Sequence, residues 1–278
     1  MITDLGRLHI KRFLAGHVGV IADSVAFGLG STAASTGDTR LNFEFERAAV
    51  TLVSYDFIND RLVFKAEMPE EVGGTVYEVG IWSTEQDSRD GGYGSKIIST
   101  FDSDTEDWVG GTFTTTARVG DDALLLAPLA SATANALLED VALDLSGYSD
   151  ADRFLLAYNV GNANTSAVRF RFLTDSSNYF TYTITAPSAG YKISDLAKSA
   201  AVVTGTPDWA EINSLQVEVV ATGTGSASVT LDGLRIEDTD TNNPDYVLVA
   251  RQVLGIPFQK EEGRTQEVEF SLAVNISG

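Results

Sequence analysis

The chain has 278 residues, 44% hydrophobic and 21% charged, with 25 glycines, 6 prolines and no cysteine. That mixture excludes a disordered chain, disulfide staples, thiolate metal sites and cysteine nucleophiles. With 19 basic and 39 acidic residues the net charge is −20, which repels nucleic-acid phosphates and anionic headgroups, and no apolar run approaches the roughly 18 residues that span a bilayer. Neither a nucleic-acid partner nor membrane insertion is expected.

At the N-terminus Lys11 and Arg12 precede an apolar stretch that His17 and Asp23 interrupt, a poor signal peptide. Residues 8–29 read ambiguously. Leu8, Phe13, Leu14, Val18 and Ile21 share one face of a helix, while three glycines weaken that reading. Beyond them period-2 alternation dominates. Leu41, Phe43 and Phe45 alternate with Asn42, Glu44 and Glu46. Val50 to Tyr55 and Arg61 to Glu67 read as a hairpin around Asn59-Asp60, and residues 75–82 as a further strand.

Gln86 to Ser95 and Glu237 to Asp245 are turn-rich linkers. Between them six strand patterns predict a β-sandwich: Ala123 to Leu129, Arg153 to Val160, Ala167 to Leu173, Tyr179 to Thr185, Asn213 to Ala221 and Ala227 to Ile236. After the second linker, Val268, Phe270, Leu272, Val274 and Ile276 form one face of a strand. Residues 246–278 are too short to fold alone, so they are expected to return to the N-terminal part. The predicted architecture is all-β. Residues 1–95 and 240–278 form a discontinuous β-rich domain, and residues 96–239 are a sandwich inserted into one of its loops.

Two histidines, His9 and His17, support neither a zinc triad nor a Ser-His-Asp site. Gly28-Leu29-Gly30-Ser31-Thr32 lacks the lysine of a phosphate loop and reads as a turn. No carboxylate pair stands out, so catalysis is not expected. The run Asp102, Asp104, Glu106, Asp107 begins like an EF-hand loop but has Asp107 where glycine is needed and Phe113 where glutamate is needed. This run and the acids after Glu237 lie at the two ends of the insert, where like charges crowd. A structural calcium, with Asp232 as a further ligand, would relieve that repulsion, although solvated carboxylates need no ion. Aromatic residues crowd the insert. Phe180, Tyr182 and Ile184 share one strand face and Tyr179, Thr181 and Thr183 the other, so at most one set is core.

Several stretches of the outer segments resemble bacteriophage tail-collar and tail-fibre proteins, a family of virion structural proteins. They are Ile21 to Gly30, Leu41 to Arg47, Tyr77-Glu-Val-Gly-Ile-Trp82, Leu248-Val-Ala-Arg251, Phe258-Gln-Lys260 and Val268 to Val274, with their order kept. That resemblance implies a β-rich attachment domain in a phage particle, other virion proteins as partners and a homo-oligomer, with a trimer as the family analogy. It carries no catalytic residues. The insert resembles the galactose-binding-like jelly rolls of carbohydrate-binding modules, through Phe101-Asp-Ser-Asp-Thr-Glu-Asp-Trp108, Asp144-Leu-Ser-Gly-Tyr148 and Ser228 to Ile236. This likeness implies a calcium held by Asp232 with Asp102 or Asp104, although Gly233 stands where the commoner pattern has a second acid.

Together these readings predict a non-enzymatic protein of the virion surface, in the tail, fibre or neck, whose jelly roll adheres to host-surface polysaccharide. Trp108, Tyr148, Tyr179 and Trp209 are the candidate stacking residues, chosen for their place in loops or at strand starts. The alternative is a capsid or neck decoration protein with a purely architectural role.

Overall fold

A computed structural model describes residues 1–83, 95–239 and 247–273. Both predicted linkers fall largely outside these residues, as do the last positions of the C-terminal strand pattern. The chain divides into two units, Met1–Asp90 with Thr241–Gly278 and Gly91–Asp240. Both are built from antiparallel sheets, so the protein is all-β apart from one α-helix and a single 3-10 turn among the described residues.

The first unit opens with α1 (Asp4–Leu14), capped by Thr3, whose hydroxyl accepts from the Gly6 amide at 2.8 Å. Gly6, His9 and Ile10 are buried while Leu8 and Leu14 are exposed, so the buried stripe is not the one the sequence reading drew. Gly6 lies against Val249, and a side chain there would collide with the Val249 carbonyl. The helix ends as the chain enters the left-handed region at Gly16 (φ 74°), and Ser24–Gly28 is a fully buried strand, β1. Tertiary pairing thus overrides the helical pattern in the second half of 8–29.

Next come β2 (Glu44–Asp56), β3 (Arg61–Met68) and β4 (Gly74–Ser83), and after the insert β16 (Val247–Lys260) and β17 (Gln266–Ala273). They form one six-stranded sheet in the order β16-β4-β1-β2-β3-β17. β2 and β3 make the predicted hairpin, and the strands at 246–278 do return to the N-terminal part, as β16 on β4 and β17 on β3.

Within the mostly apolar interior of this unit lies a buried ionic cluster. Glu78 of β4, at 0% exposure, receives Arg251 Nε of β16 at 2.6 Å on one oxygen. On the other it receives the amides of Gly30, Asn42 and Phe43, at 2.9, 2.9 and 3.1 Å. Arg251, 1% exposed, completes its fork on Asp38 (2.7 Å) and the Thr32 carbonyl (3.0 Å). Burial pushes the Glu78 carboxyl up, while Arg251 and the amides pull it back. A Cβ at Gly28 or Gly30 would run into the Glu78 carboxylate. The stretch predicted as a turn is instead the end of β1 and the chain after it, with glycine at 28 and 30 because the backbone lies against the Glu78 carboxylate. Four of the stretches that carried the tail-protein resemblance each contribute to this cluster.

The second unit contains β5 (Lys96–Ser99), β6 (Thr112–Thr114), β7 (Ala123–Leu126), β8 (Thr133–Leu138), β9 (Arg153–Val160) and β10 (Thr165–Asp175). It continues with β11 (Asn178–Thr185), β12 (Gly190–Ala197), β13 (Val202–Thr204), β14 (Ser214–Ala221) and β15 (Val229–Glu237). These strands make two facing sheets, β13-β11-β10-β14-β8 and β12-β9-β15-β7-β6, with β5 also paired to β15. The arrangement is a jelly-roll-like sandwich. Its core takes Phe154, Leu156 and Tyr158 from one sheet and Phe170, Phe172, Phe180, Tyr182 and Val217 from the other. β5, β6, β8, β12 and β13 went unread because they are short, weakly patterned or half exposed.

Candidate functional site

Strict alternation fixes what the five-stranded sheet shows on its outer side. In β10, Val168, Phe170 and Phe172 are buried, so Arg169, Arg171 and Leu173 point away from the core. In β11 the core set is Phe180 and Tyr182 with Ile184 packed beside them, which settles the alternative left open by the sequence and turns Tyr179, Thr181 and Thr183 outward.

Register then aligns these residues across strands. Val202, Thr181, Arg171, Gln216, Leu137 and Val109 occupy one row. Thr183, Arg169, Glu218 and Asn135 form the next, and Thr204, Tyr179, Leu173 and Ser214 flank the first on its other side. Six chains at about 4.8 Å spacing make the first row about 24 Å wide. Its ends are apolar and exposed, with Val202 at 66% and Val109 at 71%, and its middle is polar.

The polar middle is held in place. Arg171 Nη1 donates to Gln216 Oε1 at 2.7 Å and pairs with Glu218 at 2.9 Å, while its guanidinium lies over the Tyr179 ring at 5.1 Å. Arg169 is 3.5 Å from the same Glu218. A guanidinium fork, an amide, a carboxylate, threonine hydroxyls and a half-buried tyrosine ring thus share one sheet surface. This set can hydrogen-bond vicinal hydroxyls in both directions and cover an apolar ring face.

Of the four predicted stacking residues, only Tyr179 is on this surface. Trp108 is 6% exposed, stacked on Phe101 at 5.0 Å with its indole N–H on Glu106 at 2.7 Å. Tyr148 is 3% exposed and belongs to the core cluster, and its carbonyl, with that of Leu145, accepts from Lys198 Nζ at 2.6 and 2.9 Å. Burial pushes the Lys198 ammonium down. Trp209 stacks on Phe180 with centroids 3.7 Å apart and planes 6° from parallel, and it also packs on Phe154 and Phe172. Trp108 and Tyr148 are thus core residues, whereas Trp209 packs against the core while staying partly exposed, away from this sheet face. Arg169, Arg171, Gln216 and Glu218 were missed, although the alternation with Val168, Phe170 and Phe172 already set both arginines on the face opposite the core.

The three predicted calcium ligands are not gathered into one cluster among the described residues. Asp102 accepts the amides of Asp104 and Asp121, one on each oxygen at 3.0 Å. Asp104 is exposed and bonds through its backbone. Asp232 accepts the Arg118 amide at 2.9 Å, the Val119 amide at 3.2 Å and the Tyr191 hydroxyl, and the Arg118 guanidinium lies 3.6 Å over the Tyr191 ring. Asp232 is thus satisfied by N–H and O–H donors of the chain itself, and each Asp102 oxygen already accepts one amide. Among the described residues no three carboxylate or imidazole groups converge as metal ligands. His9 is buried with Nε2 3.0 Å from the Val20 carbonyl, and His17 is exposed.

Asp232 provides a pH test. Burial raises its carboxyl above the ordinary 3.8, against the pull of Tyr191 and the two amides. A raised folded-state value adds stability that is fully present below the unfolded value and lost as pH rises through the folded one. The stability of the parent minus that of Asp232→Asn is therefore expected to fall as pH rises from about 4. Urea melts across that range check it, and a difference flat with pH would refute the burial argument.

No family model and no curated protein matches the sequence. Among solved structures, the chain is similar to the family 11 carbohydrate-binding module of the cellulosomal cellulase Lic26A-Cel5E of Clostridium thermocellum. The TM-score is 0.41 at 13% identity, over 52% of this chain and 95% of that one. A family 11 carbohydrate-binding module from Clostridium thermocellum in complex with a β-1,3-1,4-mixed-linked tetrasaccharide aligns with a TM-score of 0.41 at 13% identity, over 52% of this chain and 95% of that one. A tailspike protein of bacteriophage CBA120 aligns with a TM-score of 0.27 at 13% identity, over 51% of this chain and 18% of that one. Similarity at this level assigns neither a family nor a ligand to the chain.

Proposed function

We propose that the inserted jelly roll binds glycans on the outer face of its five-stranded sheet, without catalysis, and that the outer unit anchors it in a phage particle. The observation that carries the binding reading is the row from Val202 to Val109, a polar, aromatic-flanked strip with apolar ends. Tyr179 would stack on a sugar ring, with Arg171 and Gln216 bonding its hydroxyls. Weak single sites gain strength when many copies are displayed together. The particle assignment draws on the tail-protein resemblance of the stretches that meet at Glu78 and Arg251.

A decoration role is the second reading, favoured by the β2–β3 hairpin. Its tip exposes Phe57 at 86% and Ile58 at 93%, an apolar contact suited to another structural protein.

Arg171→Ala and Tyr179→Ala are each expected to weaken glycan binding about tenfold or more without shifting the melting temperature by more than a few degrees, since both side chains lie outside the core. Glycan-array binding followed by titration of the hits checks this. Loss of binding on neither substitution would move the site elsewhere. Immunogold labelling of purified particles with an antibody to residues 96–239 separates tail or fibre from capsid or neck, and unlabelled particles would end the virion reading.

A further inference from the structure

The charge on the proposed face runs against the unit that bears it. Residues 96–239 hold 8 basic and 19 acidic side chains, yet the middle of this surface has two guanidiniums and one carboxylate. Arg169 and Arg171 are two residues apart on one strand face, about 7 Å along the chain, close enough to repel.

By register Glu218 lies opposite Arg169, but it sits nearer Arg171, at 2.9 Å against 3.5 Å. Glu218 is 11% exposed and Arg171 21%, with the Gln216 amide and the Tyr179 ring also fixing Arg171. Arg169, at 36%, is the more open and the less compensated of the two. The acids at the far end of β10 do not serve Arg169: Asp175 is six residues on, about 20 Å along the strand, and accepts the Ser177 and Asn178 amides, while Asp208 accepts the Ala210 amide. A partly desolvated positive charge without a full partner is costly in an isolated protein and useful when the partner arrives with a ligand.

We infer that the ligand of this face is an anionic glycan whose carboxylate pairs with Arg169, while the Arg171–Glu218–Gln216 set positions that arginine and binds hydroxyls. The inference rests on the glycan-binding reading above and narrows it to acidic polysaccharides.

Calorimetric titration of the full chain with oligogalacturonate, and with the same oligomer after its carboxyls are reduced to alcohols, tests it. The acidic form is expected to bind about tenfold or more tighter at ~0.05 M salt, and the gap should narrow at ~0.5 M as the charges are screened. Arg169→Gln should weaken binding of the acidic oligomer about tenfold and bring it level with the reduced one, while Arg169→Lys keeps part of the preference. Melting curves show that each variant is folded, and if Arg169→Gln is not, the salt dependence and Arg169→Lys decide.

Equal binding of the two oligomers overturns the inference and leaves the glycan reading standing. So does an acidic preference that Arg169→Gln does not touch, since the charge would then be read elsewhere. Binding of neither oligomer, nor of any array glycan, by folded protein overturns both.

Discussion

Replacing Arg251 by methionine is expected to destabilise the outer unit by about 3–5 kcal/mol, the usual cost of removing one partner from a buried ion pair. The guanidinium is 1% exposed and joins three separated pieces of chain: Glu78 on β4, Asp38 and Thr32 in the segment between β1 and β2, and its own β16. Methionine fills most of the volume but leaves Glu78 with no cation and the Asp38 carboxylate and Thr32 carbonyl without that donor. The three amides on Glu78 remain and soften the loss. Glu78→Gln presents an amide N–H where Arg251 needs an acceptor, so it too should be costly. Because both substitutions break one interaction, the double variant Glu78→Gln/Arg251→Met should cost clearly less than the sum of the singles. Urea melts of the four proteins measure this cycle. A single-variant loss below about 1 kcal/mol would mean that desolvation cancels the pairing and that the cluster sets geometry rather than stability.

Phe170→Ala is expected to cost about 3–5 kcal/mol in the jelly-roll unit. The ring is 1% exposed, stacks on Tyr182 with centroids 4.7 Å apart and planes 12° from parallel, and meets Phe154 and Phe172 edge-on. Alanine leaves a cavity between two sheets whose strands are locked in register and cannot collapse to fill it. Phe170 and Phe172 also flank Arg171 in the strand, so the same variant should loosen the outer face and weaken binding there. Near-ultraviolet circular dichroism and urea melts read the core, and glycan titration reads the face. A loss under about 1 kcal/mol would show that the aromatic cluster repacks freely.

Much of this architecture was legible because period 2 survives translation into structure. β9, β10, β11 and β14 lie where their apolar alternation put them, and the need of residues 246–278 for a partner is met by β4 and β3. What alternation could not convey was which residues meet across strands. Arg169 and Glu218 are 49 positions apart, and Glu78 and Arg251 are 173 apart. The Phe101–Trp108 stretch illustrates a different limit. Its acids read as cation ligands by spacing, yet Glu106 accepts the Thr100 and Phe101 amides and the Trp108 indole, so the motif folds its own turn. An acidic residue before a tight turn carries the same letters whether it binds metal or backbone, and only the direction of the neighbouring N–H groups distinguishes the two.

The strand pairs at the two mouths of the insertion bear on how such a protein can diversify. Ser83 pairs with Val247 where the outer unit lets the chain out and takes it back, and Lys96 pairs with Ile236 where the inserted unit begins and ends. Each unit therefore closes its own seam with its own hydrogen bonds. Recombination between these seams would exchange the whole inserted unit in one event and leave every residue of the Glu78–Arg251 cluster untouched. A lineage built this way can replace the inserted unit while keeping the fold of the outer one.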